Sequence, residues 1–236
     1  MNALVEKYLS EAAEMAAPIP GEAPHGADIS YDADFEVVRV EIDKLTAMSG
    51  ELPNWKEIVS ASENLLRTRS KDMRLAIWMA GARFKLEGVK GLARGLATVR
   101  TVSEAHWEGM YPPLKRAKAR ANLAGWLGDL ALADLGAYEP KASDKEAFEA
   151  LSEIFNSTDE VLSSKLGDAY AGMGPIRSML RDKLRMIPAE VAPVAAPPTP
   201  TTSAASPTPV TAAPAPTAPL AAPALDFAPP QVPAVT

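Results

Sequence analysis

Four oxygen-bearing side chains alternate along one short stretch: Asp28, Ser30, Asp32 and Asp34. Oxygen ligands at such spacing are what a calcium loop supplies. An EF-hand also needs glycine at its sixth position and glutamate at its twelfth. Counted from Asp28, those positions hold Ala33 and Arg39. An arginine where the bidentate carboxylate belongs repels the cation. The acids are therefore expected to work as turn and capping residues. Asp32 should cap a helix that carries Phe35 into the core, with Tyr31 packing its ring and giving its hydroxyl a polar partner.

His25 lies just upstream and could in principle act as a base oriented by a neighbouring carboxylate. No nucleophile accompanies it: the chain has no G-x-S-x-G elbow, and Gly172-Met173-Gly174 lacks the serine. His25 is expected to be exposed in its Pro/Gly loop. His106, on an apolar helical stripe beside Trp107, is expected to be partly buried and hydrogen-bonded. With two histidines and no cysteine, the sequence excludes thiolate–zinc sites, iron–sulfur clusters, disulfides and cysteine nucleophiles. A multi-histidine metal site is equally disfavoured. No catalytic residue, cofactor, metal or small-molecule substrate is expected.

Gly88, Gly91 and Gly95 invite comparison with a phosphate loop. That loop needs a preceding strand and a Gly-Lys-Ser/Thr ending, and neither is present. Glycines at this spacing lower helix propensity by ~1 kcal/mol each, a cost that close passage of another helix can offset. Two basic groups remain: Arg67, Arg69, Lys71 and Arg74, and the strip Lys115, Arg116, Lys118 and Arg120. Each reads as a solvated face or as an electrostatic docking surface for an acidic partner. Arg67, Arg69, Lys115, Arg116, Lys118 and Arg120 are the docking candidates. The net charge of −6 and the absence of long basic runs argue against nucleic-acid binding. No apolar run is long enough to cross a membrane.

These residues are positioned by helices. Apolar residues recur at steps of three and four from Leu4 to Met15 and again from Phe35 to Leu45. Asn54 is expected to cap a helix with Trp55, Ile58, Leu65 and Leu66 on its buried stripe. Ser70 is expected to cap the next, 71–86, which is apolar on nearly every side and so central. Trp78 should be buried there, and Trp78→Ala should cost ~3–5 kcal/mol. Gly88 should stop that helix, and another follows over 89–107. Further helices are expected over 114–135, from a Ser143 cap to Leu166, and over 176–186. Strand-type alternation is absent, so the fold class is all-α with about eight helices. The segment 188–236 holds 14 of the 22 prolines and 15 alanines, with Glu190 and Asp226 its only charges. It cannot bury enough apolar surface to fold and is expected to be a disordered linker or tail. Residues 1–187 are expected to form one helical domain.

The stretch PIPGEAPHGADISYDADF resembles the opening motif of the ImpA N-terminal domain of TssA-like type VI secretion proteins. The matching residues are Gly26, Asp28, Ile29, Tyr31, Asp32 and Phe35. The resemblance continues through Trp55, then Ser70, Lys71, Asp72, Arg74 and Trp78. It runs on through Glu87, Gly88, Gly91, Gly95, Trp107, Tyr111 and Pro112. It covers roughly residues 18–130. It implies that these residues are architectural and that the protein is a non-enzymatic scaffold in the bacterial cytoplasm. It further implies partners among the baseplate and tail sheath and tube proteins. The family's ring-forming C-terminal domains have no counterpart in this sequence. The chain is thus either a fragment of a longer protein or a short member, and any self-association would use regions outside it. The other reading of the residues themselves is a helical adaptor or regulator unrelated to secretion.

Overall fold

The computed structural model describes residues 2–188 apart from Glu22 and Ser49. The expected Pro/Ala tail lies outside the described residues, save for Pro188. Among the described residues the chain forms seven α-helices and no strand. They are α1 (Ala3–Ala16), α2 (Ala33–Asp43), α3 (Trp55–Thr68), α4 (Met73–His106), α5 (Ala117–Ala137), α6 (Lys145–Leu166) and α7 (Gly174–Met186). Short 3-10 turns at Leu114–Arg116, Ala142–Asp144 and Gly167–Ala169 join them.

The long α4 is two helices. Gly88 stands at φ 61°, ψ −140°, a conformation that side-chain-bearing residues avoid, and it separates arms 73–87 and 89–106. The arms fold back on each other. A Cβ placed on Gly95 would lie 2.4 Å from the Ala80 Cα, and one on Gly91 would lie 2.0 Å from the Arg83 carbonyl oxygen. The glycines expected to admit a crossing helix therefore admit the helix just before them, as an antiparallel hairpin.

This hairpin is the centre of the fold. Helices α1, α3, α5 and α6 all pack on α4; α2 packs on α3, and α7 lies against α5 and α6. The core joins Val5, Tyr8, Phe35, Ile58, Leu65, Leu75, Ile77, Leu96, Val99, Phe148, Leu151 and Phe155, all buried. Trp78 departs from expectation. It is only half-buried, at the core's edge, with its ring centroid 5.7 Å from that of Phe35.

The caps follow from sequence with two exceptions. Asp32 accepts the Asp34 N–H at 2.9 Å, and Asn54 accepts the Glu57 N–H at 3.3 Å. Ser70 does not cap α4. Asp72, the residue next to the first turn, does, accepting the Arg74 N–H at 2.8 Å, while the buried Ser70 hydroxyl has no hydrogen bond among the described residues. Nor does Ser143 cap α6. Asp144 folds back instead, accepting the Lys141 N–H and the Tyr138 hydroxyl, each at 2.9 Å.

Candidate docking surface

The Pro/Gly loop has no regular structure of its own, so its backbone groups need partners elsewhere. The segment entering α4 supplies them. Lys71 N–H donates to the His25 carbonyl at 2.8 Å and Ala27 N–H to the Arg69 carbonyl at 3.1 Å. On the other side Tyr111 N–H donates to the Lys71 carbonyl at 2.9 Å and Met73 N–H to the Tyr111 carbonyl at 2.7 Å. Gly26 bridges Ser70, and Asp72 bridges Tyr111, just before the cis peptide to Pro112. Three sequence-distant motif segments thus meet at the start of α4.

Side chains lock the junction. Asp72 is fully buried and Arg74 grips it through Nε at 3.0 Å and Nη2 at 2.6 Å. Arg74 also donates to Ser30 Oγ at 3.1 Å and stacks its guanidinium 4.3 Å above the Phe35 ring. Asp28 accepts the Ser30 N–H at 3.0 Å and the Ser30 hydroxyl at 2.6 Å. These bonds, aided by the charge of Arg74, hold its carboxyl below the usual range. Asp32 pairs with Arg69. The acids are engaged with protein groups, and among the described residues no cluster of His, Asp or Glu could hold a metal.

Two cations placed on solvated faces are instead internal. Lys71 is fully buried, and its Nζ donates to the Met15 carbonyl at 2.7 Å and the Leu66 carbonyl at 2.5 Å. Those oxygens belong to the last turns of α1 and α3, where the helix dipoles are negative. Burial pushes the ammonium down to about 8. Arg120 is also fully buried, which removes it from the docking candidates. Its guanidinium donates to the carbonyls of Pro112 at 2.7 Å, Trp107 at 2.8 Å and Met110 at 2.6 Å, and lies 4.5 Å over the Trp107 ring. It ties the end of α4 to the turn that follows, because one planar fork reaches three carbonyls at once. His106 is buried as expected, its Nε2 2.7 Å from the Ala16 carbonyl oxygen.

The other docking candidates stay outside. Arg67 pairs with Glu14 at 3.0 Å and Arg69 with Asp32, both at the surface. Lys115, Arg116 and Lys118 are exposed, and none of them forms an ion pair among the described residues. They crowd the start of α5, the positive pole of its dipole, where cations are disfavoured. Tyr31 is fully exposed rather than packed. The turn closed by Asp32 N–H on the Ile29 carbonyl at 2.9 Å gives the core to Ile29 and swings Tyr31 out. Beside it a groove of about 500 Å³ runs past Ser30, Asp32, Phe35, Arg39 and Arg74. His25 is half-buried rather than exposed, 6.1 Å from the Tyr111 ring. Trp55, at the start of α3, and the three hairpin glycines are not part of this junction.

Sequence reading missed the polar groups at the other end of the molecule. Asp159 is buried and accepts from the Tyr170 hydroxyl at 2.7 Å, Met173 N–H at 3.2 Å and Arg177 at 2.6 Å. Burial, reinforced by this bond, raises the Tyr170 phenol far above its ordinary range. Lys183 is buried against the Gly136 and Tyr138 carbonyls at the end of α5. The sequence carries a faint signal for both: a charge on an otherwise apolar stripe of α6 or α7.

Comparison with known proteins converges on one family. Residues 16–129 match the family described as ImpA, N-terminal, type VI secretion system. The type VI secretion system component TssA1 of Pseudomonas aeruginosa is 33% identical over 107 residues, 42% of this chain and 31% of the relative. The chain thus aligns with about a third of that relative's length. Among solved structures, the N-terminal domain that includes the conserved ImpA_N region of the TssA component of the type VI secretion system from Burkholderia cenocepacia superposes with a TM-score of 0.56. It shows 18% identity and covers 74% of this chain and 91% of its own.

Proposed function

We propose, from the match of residues 16–129 to the ImpA N-terminal family of type VI secretion system proteins, that the chain is a non-enzymatic assembly component of this machine. In this reading it binds baseplate or tail sheath and tube proteins during biogenesis, on the cytoplasmic side. Residues 1–187 are the folded unit and 188–236 the tether. Among the described residues no helix is long and apolar enough to cross a membrane. The motif acids and cations that could suggest chemistry are tied to one another and to the backbone.

The observation that carries docking is the strip Lys115, Arg116 and Lys118. Three cations at the positive end of α5, none in an ion pair among the described residues, repel one another and the helix dipole, with only the Asp28 charge acting on Arg116. An acidic surface laid against them relieves that repulsion and steers its own approach. Exposed Tyr31, on the motif loop, adds an aromatic anchor of the kind favoured at interfaces.

The test uses the full chain, immobilised, and each purified baseplate, sheath and tube protein encoded with it. At least one is expected to bind. Lys115→Glu, Arg116→Glu and Lys118→Glu together should weaken it about tenfold or more. Absence of binding to every secretion component at low salt overturns the reading.

A further inference from the structure

Beyond the matched residues, α6 and α7 pack side by side and leave a groove of about 650 Å³ between them. Its floor is apolar, made by Phe155, Leu180 and Leu184. Its rim is cationic: Lys145, Arg177, Arg181 and Arg185, against a single anion, Glu149. Two of these cations have carboxylates beside them. Arg177 reaches Asp159 at 2.6 Å, and Arg185 stands 3.7 Å from Asp182. Lys145 and Arg181 form no ion pair among the described residues. In a protein of net charge −6, this is a local reversal of sign.

The shape of the groove fixes the shape of what fits it. On α6 the lining residues are Lys145, Glu149, Ser152 and Asn156, one stripe down a single helix face. On α7 Arg177, Arg181 and Arg185 recur every fourth residue. The α6 stripe runs for about three helical turns, roughly 16 Å, and the α7 stripe for just over two, roughly 12 Å. A furrow between two packed helices receives a third helix by the same ridge-and-groove geometry.

We propose that the α6–α7 groove is a docking site for a short amphipathic acidic helix of a partner protein. The helix is about three turns long, with apolar residues at i, i+3/i+4 and i+7 seated on Phe155, Leu180 and Leu184. Asp or Glu residues flank that stripe and meet Arg181, Arg185 and Lys145. This surface lies on residues 145–185, outside 16–129, so it stands apart from the strip on α5 and from the secretion reading.

The experiment selects randomised displayed peptides of about three helical turns on the full 236-residue chain and then compares their binding to the variant Arg181→Glu/Arg185→Glu. Both arginines are exposed, so the double variant should keep the wild-type circular dichroism spectrum and melting curve. A recovered peptide, fluorescein-labelled, is then titrated by anisotropy. The expected sequences are acid-rich with helical apolar spacing. Their affinity should fall about tenfold or more in Arg181→Glu/Arg185→Glu and stay unchanged in Lys115→Glu/Lys118→Glu. Failure to enrich, enrichment of neutral or basic peptides, or equal binding to both proteins overturns the proposal. So does a groove already covered by a second copy, which sedimentation would show as a dimer that Arg181→Glu/Arg185→Glu dissociates.

Discussion

Three buried cations use the same chemistry: each puts its donors on backbone carbonyls at or just beyond the C-terminal end of a helix. Lys71 serves α1 and α3, Arg120 serves α4, and Lys183 serves α5. Removing the fork of Arg120 would strand three carbonyls in the interior. Arg120→Met is therefore expected to cost at least ~3 kcal/mol in urea unfolding. Arg120→Lys should recover only part of it, because an ammonium cannot span the same three acceptors. Lys71 should show itself through pH. Its ordinary value is 10.5 and burial lowers it to about 8. Between those values the unfolded chain binds more protons than the native one. Stability from this group therefore rises with pH through the window, and the full cost of burying the charge is present below it. In Lys71→Met that rise should vanish from the pH 8–10 limb of the unfolding free energy, whatever the variant's absolute stability. The phenols of Tyr8, Tyr138 and Tyr170, all raised, act oppositely above pH 10, but equally in both proteins.

At the scale of the element, the hairpin of α4 decides the fold, and backbone contact decides the hairpin. Alanine is the better helix former by ~1 kcal/mol, yet Gly95→Ala would drive a methyl to within 2.4 Å of the Ala80 Cα. The arms must part, at a cost of ~1–3 kcal/mol for overpacking. Gly95→Ala should thus lower the melting temperature, whereas a control at Gly125, which faces open space on α5, should raise it or leave it unchanged. The same helix carries Trp78, whose half-burial reduces the expected cost of Trp78→Ala to ~1.5–3 kcal/mol. Chemical denaturation of that variant measures it directly.

Over the whole molecule, charge is unevenly spread. The chain is acidic, yet the start of α5 and the α6–α7 groove both present uncompensated cations. Partner binding through either surface should weaken steeply as salt rises past ~0.15 M, where the screening length shrinks to about 8 Å. A salt-independent affinity would mean that neither surface is used. The acid loop points the other way. Asp28 and Asp32 already accept hydrogen bonds from the protein, and Arg74 and Arg69 stand beside them. Titration calorimetry with calcium, magnesium and zinc is expected to give no specific heat. A stoichiometric site abolished by Asp28→Ala would overturn that.

Much of this architecture was legible in the residues. Apolar spacing gave the all-α class and the helices to within a few residues; Asp32 and Asn54 announced their caps, and Gly88 announced the break in α4. These are local properties, set by the chain's own backbone preferences over one or two turns. Which charges face water was not local. Lys71 sits among Arg67, Arg69 and Arg74 in sequence, yet its ammonium finds the Met15 carbonyl across 56 residues. Arg120 continues the strip of Lys115, Arg116 and Lys118, yet it turns inward to the end of α4. Tyr31 left the core because a single turn gave that place to Ile29. Helical periodicity says which face is apolar. It cannot say where a distant helix will end, and it is the unpaired carbonyls at that end that receive a buried cation's donors.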